Sequence, residues 1–505
     1  MSTPCLHLTD LWLADGSGKD PVKSELLISQ GIIQAVGSSD IGSGAGEKLS
    51  CKNLIASPGF IDVHGHSDIS SLLDNNLLFS RISQGITCEI AGNCGLSAFP
   101  VTEKNAAHLE ELYAKYHQQF KWSSCSQLRI FAAEKNLPCS IEYLTGHNTL
   151  RAAVAGYDSR ELSGSETEII SSLLSDTLDQ GALGLSLGLL YVPGRFYTCN
   201  ELIQLFKTVA KHKKIVACHL KSEGNQLLES LEEMINLSLE SGLKKFHISH
   251  FKTAGKKNFH KLSDAFEMIK DAALEGVDIT FDRYPYTQSM TQLSLVLPDE
   301  WSDIDDVSIT EKLQDNEICR QLINEMHICR NDEYWKSVTL VNTPLHSYDH
   351  CRGLTLDKLS DDPAAGVVEI LRCSSPAATA AFSGMSNENM LRIITDPRCM
   401  AGSDGTALPP DGSFGYDHPR SYGAVCRFIR LLLDNNIPIA EAVHKVTGLP
   451  ADTFALPSAG CIRPGNIADI TIFDPDEIDG TSTFADPVSP AKGIKAVIKH
   501  GIRLL

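Results

Sequence analysis

Two histidines one residue apart close an apolar run in "PGFIDVHGHSD", residues 58–68. On an extended strand residues i and i+2 face the same side, so the imidazoles of His64 and His66 can point at one ion. Three more side chains of ligand type stand in similar places: Cys94 in "AGNCG", His219 in "KIVACHL" and His250 in "KFHISH". Each follows a short β-rich run, and so does Asp404 in "CMAGSDG". Imidazole and thiolate suit Zn²⁺, whereas sets made of oxygen alone suit Mg²⁺ or Ca²⁺. Three such ligands leave a position open for water, whose pKa a bound metal lowers to about 7. An ionised aspartate only accepts hydrogen bonds, so Asp404 can take that water's proton and pass it to a leaving nitrogen. The chemistry implied is metal-assisted hydrolysis.

These residues need a frame that brings them together. Apolar, β-rich runs bounded by turn residues occur at 54–66, 85–94, 139–147, 181–189, 214–220, 245–250, 277–286 and 399–405. Between them lie segments of helical period. In 225–242, Leu227, Leu228, Leu231, Met234, Ile235 and Leu239 form one stripe and Gly242 marks an end. Eight strands alternating with helices predict an α/β fold of the (β/α)₈ barrel type, with its active site at the C-terminal strand ends. All six residues above fall at such ends. The barrel is expected over 56–455, and a charged segment at about 290–346 interrupts it between strands seven and eight as an insertion. Residues 1–55 and 456–505 carry short alternating runs with Gly-rich turns and are expected to pair into one small β-sandwich.

Composition narrows the function. At 505 residues, with 42% apolar and 21% charged residues, the chain reads as a soluble globular protein with a sizeable core. A net charge of −19 repels phosphate backbones, so no nucleic-acid partner is expected. No run of about 18 apolar residues is present, so no membrane partner is expected either. The N-terminal stretch lacks a basic region before an apolar one and does not read as a secretory signal. The 15 cysteines are scattered without zinc-finger or CxxC spacing, which fits buried thiols in a reducing cytoplasm.

The motifs resemble those of the amidohydrolase superfamily and, within it, the N-acyl-D-amino-acid deacylases, or D-aminoacylases. "GFIDVHGHSD" resembles the superfamily's first-strand motif, "AGNCGLS" the deacylases' cysteine motif and "HISHFKTAG" their sixth-strand motif. "DRYPYT", "GSDG", "HPRSYG" and "GCIRPGNIADITIFDP" are similar to theirs as well, so the resemblance runs nearly from end to end. Many superfamily relatives bridge two metals with a carboxylated lysine on strand four; here that strand, "GALGLSLGLLY", has none. The resemblance implies that Cys94, His219 and His250 hold one tightly bound Zn²⁺. It also implies that His64 and His66 line a second, weaker site and that Asp404 is the catalytic acid/base.

The substrate so implied is a small molecule, an N-acyl-D-amino acid, whose free carboxylate needs cationic and hydroxyl donors. Lys252, two residues after His250, would face the same side on an extended stretch. By resemblance Tyr284 and Ser289 contact the carboxylate region and Tyr191 lies near the scissile carbonyl, while Arg420 could form a bidentate pair with the carboxylate. His147 is expected to shape the rim, and Arg283 is a further cation that could favour an acidic side chain. Two other readings stand beside this one. A cyclic-amide hydrolase of the hydantoinase or dihydroorotase type is disfavoured by the missing lysine. A barrel that has lost catalysis and serves as a binding protein is disfavoured by the intact ligand set. The side-chain and acyl preferences, the metal count and the oligomeric state stay open.

Overall fold

The computed structural model describes residues 5–37, 46–73, 75–112, 120–302, 304, 306–343, 345–374, 378–411, 413 and 417–505. Within it, strand residues alternate between two environments. Val216 and Cys218 pack outward into the large core under the helices, while Ile215 and Ala217 join Ile61, Val63, Cys88, Ile90, Leu144, Leu183 and Met400 in a separate inner core. Phe454 and Leu456 plug that inner core at one end. Next in phase after Ile215 and Ala217 comes His219. The two-residue period thus delivers this imidazole to the inside of the barrel at the strand's C-terminal end.

The barrel comprises three parallel strands, Phe60–Asp62, Ile86–Ala91 and Ser140–Tyr143, and a parallel run of six. The six are Thr145–Gly146, Gly184–Gly188, Ile215–His219, Lys245–Ile248, Asp278–Arg283 and Cys399–Ala401. Ser140–Tyr143 and Thr145–Gly146 are two halves of one strand, so the two sets together make eight strands. Closure occurs where strand one meets strand eight. Val63 N donates to Ala401 O at 3.2 Å, Asp404 N to His64 O at 2.7 Å and His66 N to Gly405 O at 2.8 Å. Those last two bonds tie the HGH stretch directly to the aspartate loop.

Helices cover the outside as the apolar stripes require. The segment expected to end at Gly242 forms the helix Leu227–Ser241, and Gly242 caps it in the left-handed region at φ 73°. The helix Gly164–Asp179 begins with Ser163 and Glu166 in a reciprocal capping box.

Both chain ends contribute to one β-rich domain. Its eight-stranded sheet orders Ile502–Arg503, Ile494–Lys499, Ile470–Phe473, Ile55–Pro58, Leu6–Leu13, Val22–Ser29 and Ile32–Gly37, with Glu47–Ser50 pairing beside Leu6–Leu13. Ile33 N donates to Asn466 O at 2.9 Å, and Gly465 N returns to Ile33 O at 2.8 Å. The sheet therefore folds back on itself around a core of Leu8, Leu26, Ile28, Ala56, Ile470, Ile472 and Ile498. Between strands seven and eight lies a layer with its own core and a three-stranded antiparallel sheet of Gln288–Gln292, Val338–Asn342 and Thr379–Ser383. It reaches beyond 346 because the strand Thr379–Ser383 lies in the middle of that sheet, paired on both sides. Among the described residues no helix is long and apolar enough to cross a membrane.

Candidate metal centre and active site

Cys94 belongs to two ligand clusters. With His219 and His250 it forms one, and with His64, His66 and Asp404 the other, the ligand atoms of each lying within 4.8 Å of one another. Its Sγ is 3.3 Å from His64 Nε2 and 3.5 Å from His250 Nε2. The edge of a tetrahedral zinc site with one sulfur and one nitrogen ligand is about 3.5 Å, given bonds of roughly 2.3 and 2.0–2.1 Å. His219 is buried with neither ring nitrogen hydrogen-bonded among the described residues, an arrangement that costs free energy unless another partner fills it. A soft thiolate and two imidazoles, one of them without a hydrogen-bond partner among the described residues, fit a zinc ion at Cys94, His219 and His250.

Local backbone shapes this rim. Cys94, His250 and Asp404 all adopt positive φ, at 53°, 36° and 49°, where a side chain other than glycine is strained. The loop bearing Cys94 is clamped from strand four, where Ser186 faces inward. Its hydroxyl donates to Gly92 O at 2.5 Å and accepts from Gly95 N at 3.1 Å. The residue between the two histidines must be glycine because a Cβ on Gly65 would lie 2.0 Å from Glu89 Oε1. That carboxylate instead accepts from Ser67 N at 2.9 Å, from Ser67 Oγ at 2.8 Å and from Arg81 Nε at 2.5 Å.

Carboxylates behind the histidines fix which nitrogen faces the centre. His64 Nδ1 lies 3.1 Å from Asp282 Oδ2, which also takes His247 Nε2 at 3.0 Å. His250 Nδ1 lies 2.9 Å from Glu223 Oε1 as a charge contact and 2.9 Å from Lys252 Nζ, which itself donates to Glu223. Both Nε2 atoms face Cys94 Sγ at the centre. Burial disfavours the Cys94 thiolate, but His64 and His250 outweigh it and hold the thiol well below its usual range. Burial likewise opposes the Asp404 charge, yet Arg420 and the histidines keep it well below an ordinary carboxylate. Asp404 Oδ1 stands 3.2 Å from His66 Nε2 and 3.6 Å from His64 Nε2. Arg420 Nη1 lies 2.7 Å from Asp404 Oδ2 as a charge contact without hydrogen-bond alignment.

The other residues expected from the sequence divide by position. Tyr191 sets its ring 5.1 Å from that of His219, and burial raises its phenol so that it stays a donor. Tyr284 is buried with its hydroxyl unpartnered among the described residues, flanked by the guanidinium groups of Arg283 at 4.1 Å and Arg420 at 4.7 Å. Lys252 is buried and ion-paired to Glu223 rather than solvated. Arg283 follows the outward phase of Phe281, donates to Tyr286 O at 2.7 Å, and lines a small cavity with Lys252, Thr253 and Asn389. Ser289 lies on the insertion strand Gln288–Gln292. His147 is outside the clusters, 2.7 Å from Glu201, which also holds Arg151. Asp282, Glu223 and Ser186 were not singled out from the sequence. Only the inward phase of Asp282 and Ser186 on their strands marks them, and Glu223 sits in a loop with no pattern at all.

Comparison with known proteins shows the family. The model of the amidohydrolase family matches residues 55–503. The chain belongs to the amidohydrolase family. It is a metal-dependent hydrolase acting on amide bonds. A D-aminoacylase of Alcaligenes xylosoxydans xylosoxydans is 28% identical over 438 residues, covering 85% of this chain and 81% of that one. An N-acyl-D-aspartate deacylase of the same organism is 27% identical over 496 residues, covering 97% and 89%. Among solved structures, an N-acyl-D-glutamate deacylase from Bordetella bronchiseptica, complexed with zinc and a phosphonate inhibitor mimicking the tetrahedral intermediate, superposes with a TM-score of 0.82. It is 26% identical, with 100% of this chain and 97% of that one covered. A D-hydantoinase superposes at TM-score 0.54 with 13% identity, a likeness of fold alone.

Proposed function

We propose that this amidohydrolase cleaves the linear amide of N-acyl-D-amino acids, giving a carboxylate and a free D-amino acid. The observation that carries the reading is the shared thiolate: Cys94 joins both ligand clusters, and Asp404 stands among the ring nitrogens of one of them. We assign one tightly bound zinc to Cys94, His219 and His250, and a second, weaker site to His64 and His66. A zinc ion held by Cys94, His219 and His250 would supply an acidified water and Lewis-acid polarisation of the carbonyl. Asp404, held ionised by Arg420, accepts the water's proton at Oδ1 and returns it to the departing nitrogen. Tyr191 donates its phenol proton in a hydrogen bond to the carbonyl oxygen, where negative charge develops.

Lys252, Tyr284, Ser289 and Arg420 hold the substrate's free carboxylate. The unpartnered Tyr284 hydroxyl and Arg420 Nε support this, since buried donors without acceptors await an anion. D-selectivity and the likeness to deacylases of acidic and other D-amino acids come from the relatives' names. A reducing cytoplasm suits the cysteines, all 15 of which are free thiols. A screen of N-acetyl and N-formyl D- and L-amino acids with the zinc-loaded protein tests the proposal. Turnover confined to D-enantiomers is expected, and no release from any of them would overturn it.

A further inference from the structure

The imidazole of His418 adjoins three of the four residues to which the substrate carboxylate has been assigned, Tyr284, Ser289 and Arg420, and not the fourth, Lys252. Its Nδ1 accepts from the backbone N–H of Arg420 at 3.0 Å, and its Nε2–H donates to the carbonyl of Gln288 at 3.2 Å. Gln288 immediately precedes Ser289 and opens the strand Gln288–Gln292, so that bond anchors the insertion to the barrel rim. The ring itself lies 6.2 Å from that of Tyr284 and edge-on to Tyr286 at 5.1 Å and Phe484 at 4.8 Å. His418 is fully buried in this aromatic box.

One acceptor nitrogen and one donor nitrogen define a single neutral tautomer, Nε2–H. A protonated ring would set Nδ1–H against the Arg420 N–H and break one of the two bonds. Burial first, then the nearby Arg420 charge, push His418 well below its ordinary range, in keeping with the neutral form. No other side chain bridges Arg420 to the Gln288–Gln292 strand by hydrogen bonds among the described residues. The Gln288–Gln292 strand leaves the barrel after Tyr286, whereas Arg420 opens the helix Arg420–Asp434 more than a hundred residues later.

We infer that His418 is a positioning residue for carboxylate recognition. It fixes the distance between Arg420 and Ser289 and seats Tyr284 between them, without touching the substrate. This inference rests on the deacylase reading, because it presupposes that these residues bind the free carboxylate. It predicts where damage to His418 appears: in the preference for a substrate with a free carboxylate over the same substrate with that group neutralised.

The test compares N-acetyl-D-methionine with its carboxamide on zinc-loaded enzyme, in the wild type, His418→Phe and His418→Gln. Phe keeps the packing and loses both bonds, while Gln offers one acceptor and one donor. The acid-to-carboxamide ratio of kcat/KM should fall about tenfold in His418→Phe, chiefly through KM, and recover in part in His418→Gln. A general structural fault would lower both substrates together and leave the ratio intact. If both variants carry zinc and keep the wild-type ratio, the inference is overturned. If His418→Phe does not fold, His418→Gln decides through the same ratio. If the wild type cleaves neither compound, the best substrate of the D-amino-acid screen and its carboxamide take their place; if that screen releases nothing, the deacylase reading falls, and His418 is then judged by the Tm rise that N-acetyl-D-methionine causes. A rise in the wild type that His418→Phe loses supports the role; an equal rise in both, or none in the wild type, overturns it.

Discussion

At the scale of single residues, chemistry concentrates in side chains whose charge state the surroundings enforce. Asp404 has one oxygen toward the imidazoles and the other against Arg420, so it can shuttle a proton without turning away. Asp404→Asn should lower kcat by about 10²- to 10⁴-fold while zinc content by atomic spectroscopy stays at the wild-type level. Retained turnover would remove the aspartate from the mechanism. Glu223→Gln and Asp282→Asn should each weaken metal binding by about 10- to 100-fold in competition with a chelator, because each carboxylate orients a histidine. His64 carries a further consequence. Burial opposes its charge, but Asp282 and Cys94 prevail and raise it to about 9. A metal must displace that proton, so zinc uptake at His64 and His66 should rise with pH between about 7 and 9. Zinc per chain after equilibrium dialysis at the two ends of that range checks the sign. The residues of the two clusters were legible because imidazole, thiol and carboxylate recur at the ends of β-rich runs. Their supporting carboxylates were not, since an aspartate inside a strand has no spacing that announces a partner 218 residues away, nor a glutamate in a loop one 27 residues away.

At the scale of elements, the two-residue period of the strands decides which side chains reach the centre. Ile215, Ala217 and His219 follow one phase and Val216 and Cys218 the other, a pattern readable in "IVACH" once a strand is assumed. Strand one is different. Its ladder ends at Asp62, and the HGH stretch continues as a connection stitched to the Asp404 loop by two backbone bonds. The two histidines are thus not a simple in-phase pair on a strand. Gly65 permits this close approach, and Gly65→Ala would drive a methyl group into the Glu89 carboxylate. A loss of about 1–3 kcal/mol in denaturant unfolding, together with weaker zinc binding, is the expected outcome. Wild-type stability in that variant would show that the Glu89 side chain yields freely. The insertion also became clear only in three dimensions. Charge and helical pattern marked its first half, but the return strand Thr379–Ser383, "TAAFS", is short and reads equally as a loop.

At the scale of the whole molecule, the α/β class and the pairing of both chain ends were legible from alternating runs. The manner of pairing was not. Two segments of similar pattern suggest two layers, whereas the strands form one sheet that bends round and nearly meets itself. Short alternating strands specify a buried face without specifying which edges join, and that choice depends on neighbours distant in sequence. The barrel's closure has the same character, since strand one is sealed by residues 401–405 rather than by anything near it.

That shared sheet also sets a schedule for biosynthesis. Ile55–Pro58 leads straight into the first barrel strand, and its open edge is filled by Ile470–Phe473. At roughly 5–20 residues per second, a ribosome needs on the order of 20–80 seconds to make the chain between them. Throughout that interval the nascent protein carries an unpaired strand edge beside an unsealed barrel, a natural target for chaperones. A chain stalled before residue 470 should be cut by protease within the first 60 residues, where the released full-length protein resists.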